Sequence, residues 1–344
     1  MTALTRLCLA ALILGASLGV SHAQEAIAAF YRGKTLRVIN PFAETGFYGA
    51  LTRALADILP KYLPGQPRGR VEYMPGGGGL QGANYLYNAA PRDGSAIGVL
   101  YDNMPTAQAL ALDNSVRFDA RRFSILGSVN RGDTGVVGVM KRAGILSVAE
   151  ARQKVAVMGA TGAGAAQYFV PLAMNRMLGT KFNIIPGYRT VSDTFLAMDA
   201  GEADGLFSNY VTIAEARPDW IKTRSIVWIA QSLDHADPDF PGVPLLQDLT
   251  DDPEKRAAFQ FLSLSRTPGK IILAPPDTPP ERVVALQKAL AETFRDPEFV
   301  GLVHMMNQKV VPRSPAEAAE IIRQTVEADP AAVARVRVLM LGDH

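Results

Sequence analysis

Short apolar stretches alternate along this chain with longer ones that carry polar residues between apolar positions, and that alternation predicts its elements. Thr35–Pro41, Val71–Tyr73, Ala96–Tyr101, Thr134–Met140, Phe182–Pro186, Gly205–Ser208 and Ile226–Ala230 read as strands. Lys154–Met158 opens another, which runs into a glycine-rich turn and a helix through Leu178. Further helices are predicted from about Tyr48 to Leu59, from the Gly76–Gly79 cluster to Ala90, and over Val191–Ala200. Strands that alternate with helices through short glycine-rich turns predict parallel α/β sheets.

Two places break the alternation. Phe118–Val129 leads into Thr134–Met140 with no helix between, and Leu264–Leu273 repeats the pattern; both read as crossings between domains. Pro60 and the Pro64–Pro67 cluster are expected to end the first long helix. Capping boxes are expected at Ser147/Glu150, Thr278/Glu281 and Ser314/Glu317. The C-terminal part reads as helical, with one strand near Lys309–Val311, and is expected to pack onto the first domain. Two α/β lobes joined by two crossings, each aiming a helix N-terminus into the gap, describe a clamshell. Open α/β sheets bind ligands at the carboxyl ends of their strands.

Composition adds little to this picture until the N-terminus. The chain has 344 residues, long enough for two cores, and its 35 basic and 33 acidic residues nearly balance. That balance gives no argument for nucleic acid or an anionic membrane as partner. Arg6, the apolar run Leu7–Val20 and Ser21-His22-Ala23 form a secretory signal pattern, with cleavage expected between Ala23 and Gln24. The sole cysteine, Cys8, lies within it, so no disulfide, thiol nucleophile or Cys-based metal site is expected afterwards. The product is expected to be soluble.

The chemistry-bearing stretch is Gly159-Ala160-Thr161-Gly162-Ala163-Gly164, between strand and helix. Such a turn presents unpaired N–H groups at the positive end of a helix, where an anion is favoured. It is not a dinucleotide fingerprint, because the next strand ends Ile185-Pro186-Gly187-Tyr188 with no acid for a ribose hydroxyl. Gly33-Lys34-Thr35 precedes its strand, unlike a phosphate-binding loop. After residue 23 the histidines are His235, His304 and His344, with no pair at metal-ligand spacing and no Gly-x-Ser-x-Gly elbow. Asp252-Pro253-Glu254 reads as a helix cap rather than a calcium loop. Trp220, Trp228, Tyr85 and Tyr87 read as packing residues. No cofactor, metal or catalytic residue is expected.

Four segments, in order, carry a resemblance. They are Phe30-Tyr31-Arg32-Gly33-Lys34-Thr35 ahead of Pro41-Phe42-Ala43, and Val71-Glu72-Tyr73-Met74-Pro75-Gly76-Gly77-Gly78 ahead of Ala83-Asn84-Tyr85-Leu86-Tyr87. The other two are Gly159–Gly164 and Gly201-Glu202-Ala203-Asp204-Gly205. Together they resemble the Bug family, the periplasmic substrate-binding receptors of tripartite tricarboxylate transporters. The resemblance implies a two-lobed periplasmic-binding-protein fold, type II-like, with two crossings. Lobe 1 would be residues 24–131 with 266–344, and lobe 2 residues 132–265. It further implies a periplasmic location, a small carboxylate ligand, the membrane subunits of such a transporter as partners, and no enzymatic activity; a monomer is expected.

In that family two loops act as a pincer on the ligand carboxylate. The resemblance carries this to Phe42, Ala43, Glu44, Thr45 and Gly46, and to Thr161, Gly162, Ala163 and Gly164. Gly78 and Gly79 would neighbour them, as would Asn209 at a strand end. Capture is expected through the N–H groups of Thr45–Gly46 and Thr161–Gly164, with the Thr161 hydroxyl as an added donor. The chain departs from the family at Glu44-Thr45-Gly46, where relatives carry Pro-Gly-Gly. A carboxylate at Glu44 about 5 Å from a ligand carboxylate would repel it by roughly 3 kcal/mol at an effective dielectric of about 20. Either Glu44 faces solvent or the ligand brings a cationic or donor group. Two other readings stay open, a periplasmic hydrolase using the same cleft and a stand-alone chemosensory receptor.

Overall fold

The predicted alternation resolves into two five-stranded sheets built to one plan. The structure, a computed structural model, describes residues 24–341 apart from Ala43, Gly46, Gly77, Gly78, residues 101–103, 111–115, 162–164, Arg189, residues 265–268 and Asn307. The signal-peptide reading therefore lies outside the described residues.

In chain order the first elements are α1 (residues 24–31), β1 (Thr35–Asn40), α2 (Phe47–Tyr62), β2 (Arg68–Tyr73), α3 (Leu80–Asn88) and β3 (Ala96–Leu100). Then come α4 (Met104–Leu110), β4 (Ser124–Ser128), β5 (Gly135–Met140), α5 (Val148–Ala151), β6 (Val155–Ala160) and α6 (Ala166–Leu178). β7 (Lys181–Pro186), α7 (Val191–Ala200), β8 (Gly205–Asn209), α8 (Tyr210–Ala216), α9 (Pro218–Thr223) and β9 (Ile226–Ser232) follow. The chain ends with α10 (Pro253–Leu264), β10 (Ile271–Ala274), α11 (Pro280–Thr293), α12 (Pro297–Met305), α13 (Pro315–Val326) and α14 (Pro330–Leu341).

The residues divide into two units. One comprises Met1–Tyr101, Arg117–Val129 and Ile271–Ala316; the other comprises Asp102–Val116, Asn130–Lys270 and Glu317–His344. The first sheet has the order β2-β1-β3-β10-β4, the second β7-β6-β8-β5-β9. In each, three strands are parallel, and an antiparallel strand (β10 or β5) separates the third from the fifth. The sheets are thus mixed, not parallel as the alternation alone suggested, because each takes its fourth strand from chain that has just crossed over.

Both faces of the second sheet are covered. Val137, Val139 and Phe207 pack with Met158, Phe169 and Met174 on one face. Val136, Met140 and Leu206 pack with Phe195, Met198 and Trp220 on the other. Successive strand residues point to opposite faces, so burial on both sides needs the continuous apolar run seen in β5. In the first unit, Leu36 and Val38 of β1 pack with Leu51, Leu55 and Ile58 of α2 and with Leu286 and Phe299.

Several expectations are corrected. Helix α2 runs through Pro60 to Tyr62. Proline withholds an N–H from Ala56 O, and the backbone of β2 passes so close there that a Cβ on Gly69 would stand 1.7 Å from that oxygen. Thr278 is no cap, since its hydroxyl donates to Pro275 O and α11 starts after Pro279. At Ser147 half the box forms: Glu150 N donates to Ser147 Oγ, while the Glu150 carboxylate accepts from Leu146 N. Lys309–Val311 is not a strand; Val311 N donates once to Val129 O, and Arg313 and Ser128 exchange a pair of backbone bonds as an isolated bridge. Residues 104–110 and 317–341 group with the second unit, where Leu110 and Val336 join its core.

Candidate functional site

In the first unit, β1 ends at Asn40, a fully buried residue whose amide organises the following loop. Its Oδ1 accepts from Phe42 N at 2.9 Å, and its Nδ2 donates to Thr52 Oγ1 at 3.1 Å, tying the loop to α2. The Phe42 and Tyr48 rings pack at 4.6 Å between centroids, tilted by 47°. The next loop lies alongside, since a Cβ on Gly82 of α3 would stand 2.8 Å from Pro41 Cα. Gly79 caps α3 with φ 100°, a conformation that favours glycine. Gly76 O accepts from both Gly79 N and Gln81 N.

Glu44 and Thr45 are exposed on this loop, and Ala43, Gly46 and Gly78 lie outside the described residues. The Glu44 side chain is 71% exposed, with its carboxylate 3.9 Å from the Arg53 guanidinium of α2. Arg53 also donates to Glu44 O at 2.8 Å and to the Tyr73 hydroxyl at 3.3 Å. Glu44 therefore faces solvent and a cation together, which offsets the repulsion its charge would exert on an anion nearby. Arg53 was not picked out from the sequence; nine positions separate it from Glu44, a spacing that carries no motif.

In the second unit, β6 ends at Ala160 and α6 starts after Ala165, whose side chain offers no cap. Gly162, Ala163 and Gly164 lie outside the described residues. Thr161 is described, and it departs from the expectation of an open donor. Its N–H and its hydroxyl both donate to Gln167 Oε1, at 3.2 and 3.0 Å. A carbonyl oxygen cannot donate, so both Thr161 protons are committed. Gln167 is 6% exposed, and its Nε2 has no hydrogen-bond partner among the described residues. Leaving such a donor unpaired costs about 1–3 kcal/mol. Gln167 escaped the sequence reading because it stands among apolar residues in the first turn of a helix, where polar positions are ordinary.

Around this turn the packing is tight. A Cβ on Gly159 would stand 2.4 Å from Thr194 Cγ2 of α7 and 3.2 Å from the Tyr188 ring. Tyr188 N donates to Ala160 O, bringing the loop after β7 beside the end of β6. At the end of β8, Asn209 donates to Asp133 Oδ2 at 3.3 Å, and Lys270 Nζ reaches the same oxygen at 2.5 Å. Glu215 has its pKa raised, chiefly by burial and secondarily by the Asp133 charge. The structure thus brings Asn209 to an acidic, hydrogen-bonded cluster rather than leaving its amide open.

The described residues hold no group of three His, Cys, Asp or Glu placed to bind a metal, and no helix long and apolar enough to cross a membrane. His235 bonds its neighbour Asp234 in an exposed loop. Asp252 caps α10 through Glu254 N and Lys255 N, as its sequence context suggested.

No protein-family model and no curated protein matches the chain. Solved structures do. A TctC solute binding protein from Polaromonas is 19% identical, covers 90% of this chain and 99% of its own, and superposes with a TM-score of 0.67. The periplasmic binding protein BugD is 19% identical over 90% of this chain and 98% of its own, with a TM-score of 0.60. MatC from Rhodopseudomonas palustris, solved with bound malate, is 18% identical over 89% of this chain and 99% of its own, also with a TM-score of 0.60. At these identities the shared property is the fold, the α/β fold of periplasmic binding proteins.

Proposed function

We propose that this chain is a periplasmic solute receptor of the Bug type that binds a small organic carboxylate and presents it to the membrane subunits of a tripartite tricarboxylate transporter. It works as a monomer, without cofactor and without turnover of its ligand. The observation that carries the reading is the uncapped N-terminus of α6, which follows β6 through a glycine-bearing turn at the carboxyl end of a sheet. An anion there gains from the free N–H groups and from the helix dipole. In the first unit β1 is likewise followed by a loop and a helix, α2, and Thr45 is exposed on that loop. Neighbours that share the fold include a malate-bound binding protein, which supports the carboxylate class.

Three or four charge-assisted bonds of about 1.5–3 kcal/mol each amount to a gross ~5–12 kcal/mol. Association costs ~4–15 kcal/mol. Micromolar affinity, about −8 kcal/mol, then requires further burial of the ligand.

The test is a thermal-melt screen of residues 24–344 against mono-, di- and tricarboxylates, amino acids and aromatic acids. A ligand at a hundred times its Kd adds about 2.7 kcal/mol of stability. The expected outcome is a specific rise in Tm with one acid class, with the acid recovered unchanged. No shift with any acid removes the carboxylate reading, and conversion of the acid replaces the receptor with a hydrolase.

A further inference from the structure

Thr161 and Gln167 frame the turn before α6 and divide its hydrogen-bonding groups in an unequal way. The Gln167 amide reaches back to the first residue of the turn, where Oε1 accepts from Thr161 N and Thr161 Oγ1. That arrangement fixes which amide atom is oxygen, since both Thr161 groups are donors. Nε2, on the same carbon, is buried and unpartnered beside the uncapped helix start. Buried amides are rarely left so. A brace for Thr161 accounts for Oε1 and leaves Nε2 without a role.

We infer that Gln167 is a ligand-contacting residue, its Nε2 donating to a carboxylate oxygen of the bound acid. The inference rests on the receptor reading and deepens it. Gln167, not the Thr161 hydroxyl, is the side-chain donor of this loop. The Thr161 oxygen, its proton committed, keeps lone pairs that accept from a hydroxyl on the ligand. The site is thereby suited to a carboxylate with an adjacent hydroxyl, a 2-hydroxy acid.

The experiment is calorimetric titration of the chain and of Q167E, Q167L and T161V with malate, succinate, lactate and acetate. Q167E keeps an acceptor for Thr161 but exchanges the donor for a negative charge. At about pH 8 it is expected to bind the best acid at least tenfold more weakly than the unaltered chain. Near pH 5.5 the substituted carboxyl, its pKa raised by an anionic neighbour, regains a proton to donate and recovers most of that loss. The unaltered chain changes little over the same interval. Malate is expected to bind more tightly than succinate, and T161V to shrink that preference.

Weak binding by Q167L with unchanged binding by Q167E leaves a brace only and overturns the inference. If the unaltered chain binds none of the acids, the receptor reading falls and takes this inference with it. If Q167E does not fold, the side-chain amide signals of Gln167, observed by NMR in the unaltered protein, decide. They shift and exchange more slowly on addition of the best acid, and indifference to it overturns the inference.

Discussion

Lys270 and Asp133 form a buried ion pair, Nζ to Oδ2 at 2.5 Å, with side chains only 4% and 5% exposed. They stand near the two ends of Asn130–Lys270, the longest continuous segment of the second unit. The same ends are tied again by Lys270 N donating to Asn130 Oδ1, and by Gly269, where a Cβ would stand 2.1 Å from Asn130 O. Removing one charge strands the other, at a cost of about 3–5 kcal/mol, whereas replacing both with apolar groups restores much of it. Chemical denaturation is expected to show K270M strongly destabilised and D133L/K270M nearer the unaltered chain. Equal losses in both would refute the pairing.

Thr194 on α7 is fully buried, and its hydroxyl has no partner among the described residues. Its methyl fills the space above Gly159. T194V keeps the methyl and replaces the hydroxyl with a group that needs no partner, so a gain of about 1 kcal/mol is expected. A raised Tm supports this; a lowered one would mean that the hydroxyl is bonded.

Arg37 on β1 donates to both carboxylate oxygens of Glu72 on β2, and to the Tyr85 hydroxyl. The bonds from Arg37 are the main cause holding the Glu72 pKa below its usual 4.5; burial opposes them. Because the folded value is depressed, this stabilisation is present above about pH 4.5 and is lost as pH falls through the folded value. E72Q is expected to cost about 1 kcal/mol at neutral pH and almost nothing well below the folded value. Denaturation curves at several pH values check the sign.

The Glu44–Arg53 contact predicts opposite effects from its two members. E44Q is expected to raise affinity for an anionic ligand about two- to threefold, and R53Q to lower it similarly, as suits exposed charges worth under 1 kcal/mol. High salt should erase both effects. Changes that persist in high salt would place Glu44 against the ligand instead.

Most strands were legible because they rest on local pattern, while β4 and β10 lay hidden in stretches read as crossings. Val136 to Met140 is apolar at every step and could only be a strand covered on both faces; Val191–Ala200 carries its own cap in Thr190 and Asp193. The order of strands was not legible, since nothing in Ile271–Ala274 says that it will lie between β3 and β4. Nor was the commitment of Thr161, because a glutamine six residues on has no fixed reach until the turn is built. Pro60 misled for a similar reason: the break it predicts depends on what meets Ala56 O, and Gly69 meets it.

The position of β10 sets a clock on the first unit. Among the described strands β4 pairs with β10 alone, which follows the entire second sheet in the chain. The first sheet therefore closes only across a long stretch of chain that is ordered or looped out. Contacts so distant in sequence make folding slow, and a chain halted before residue 271 lacks the strand that joins β4 to β3.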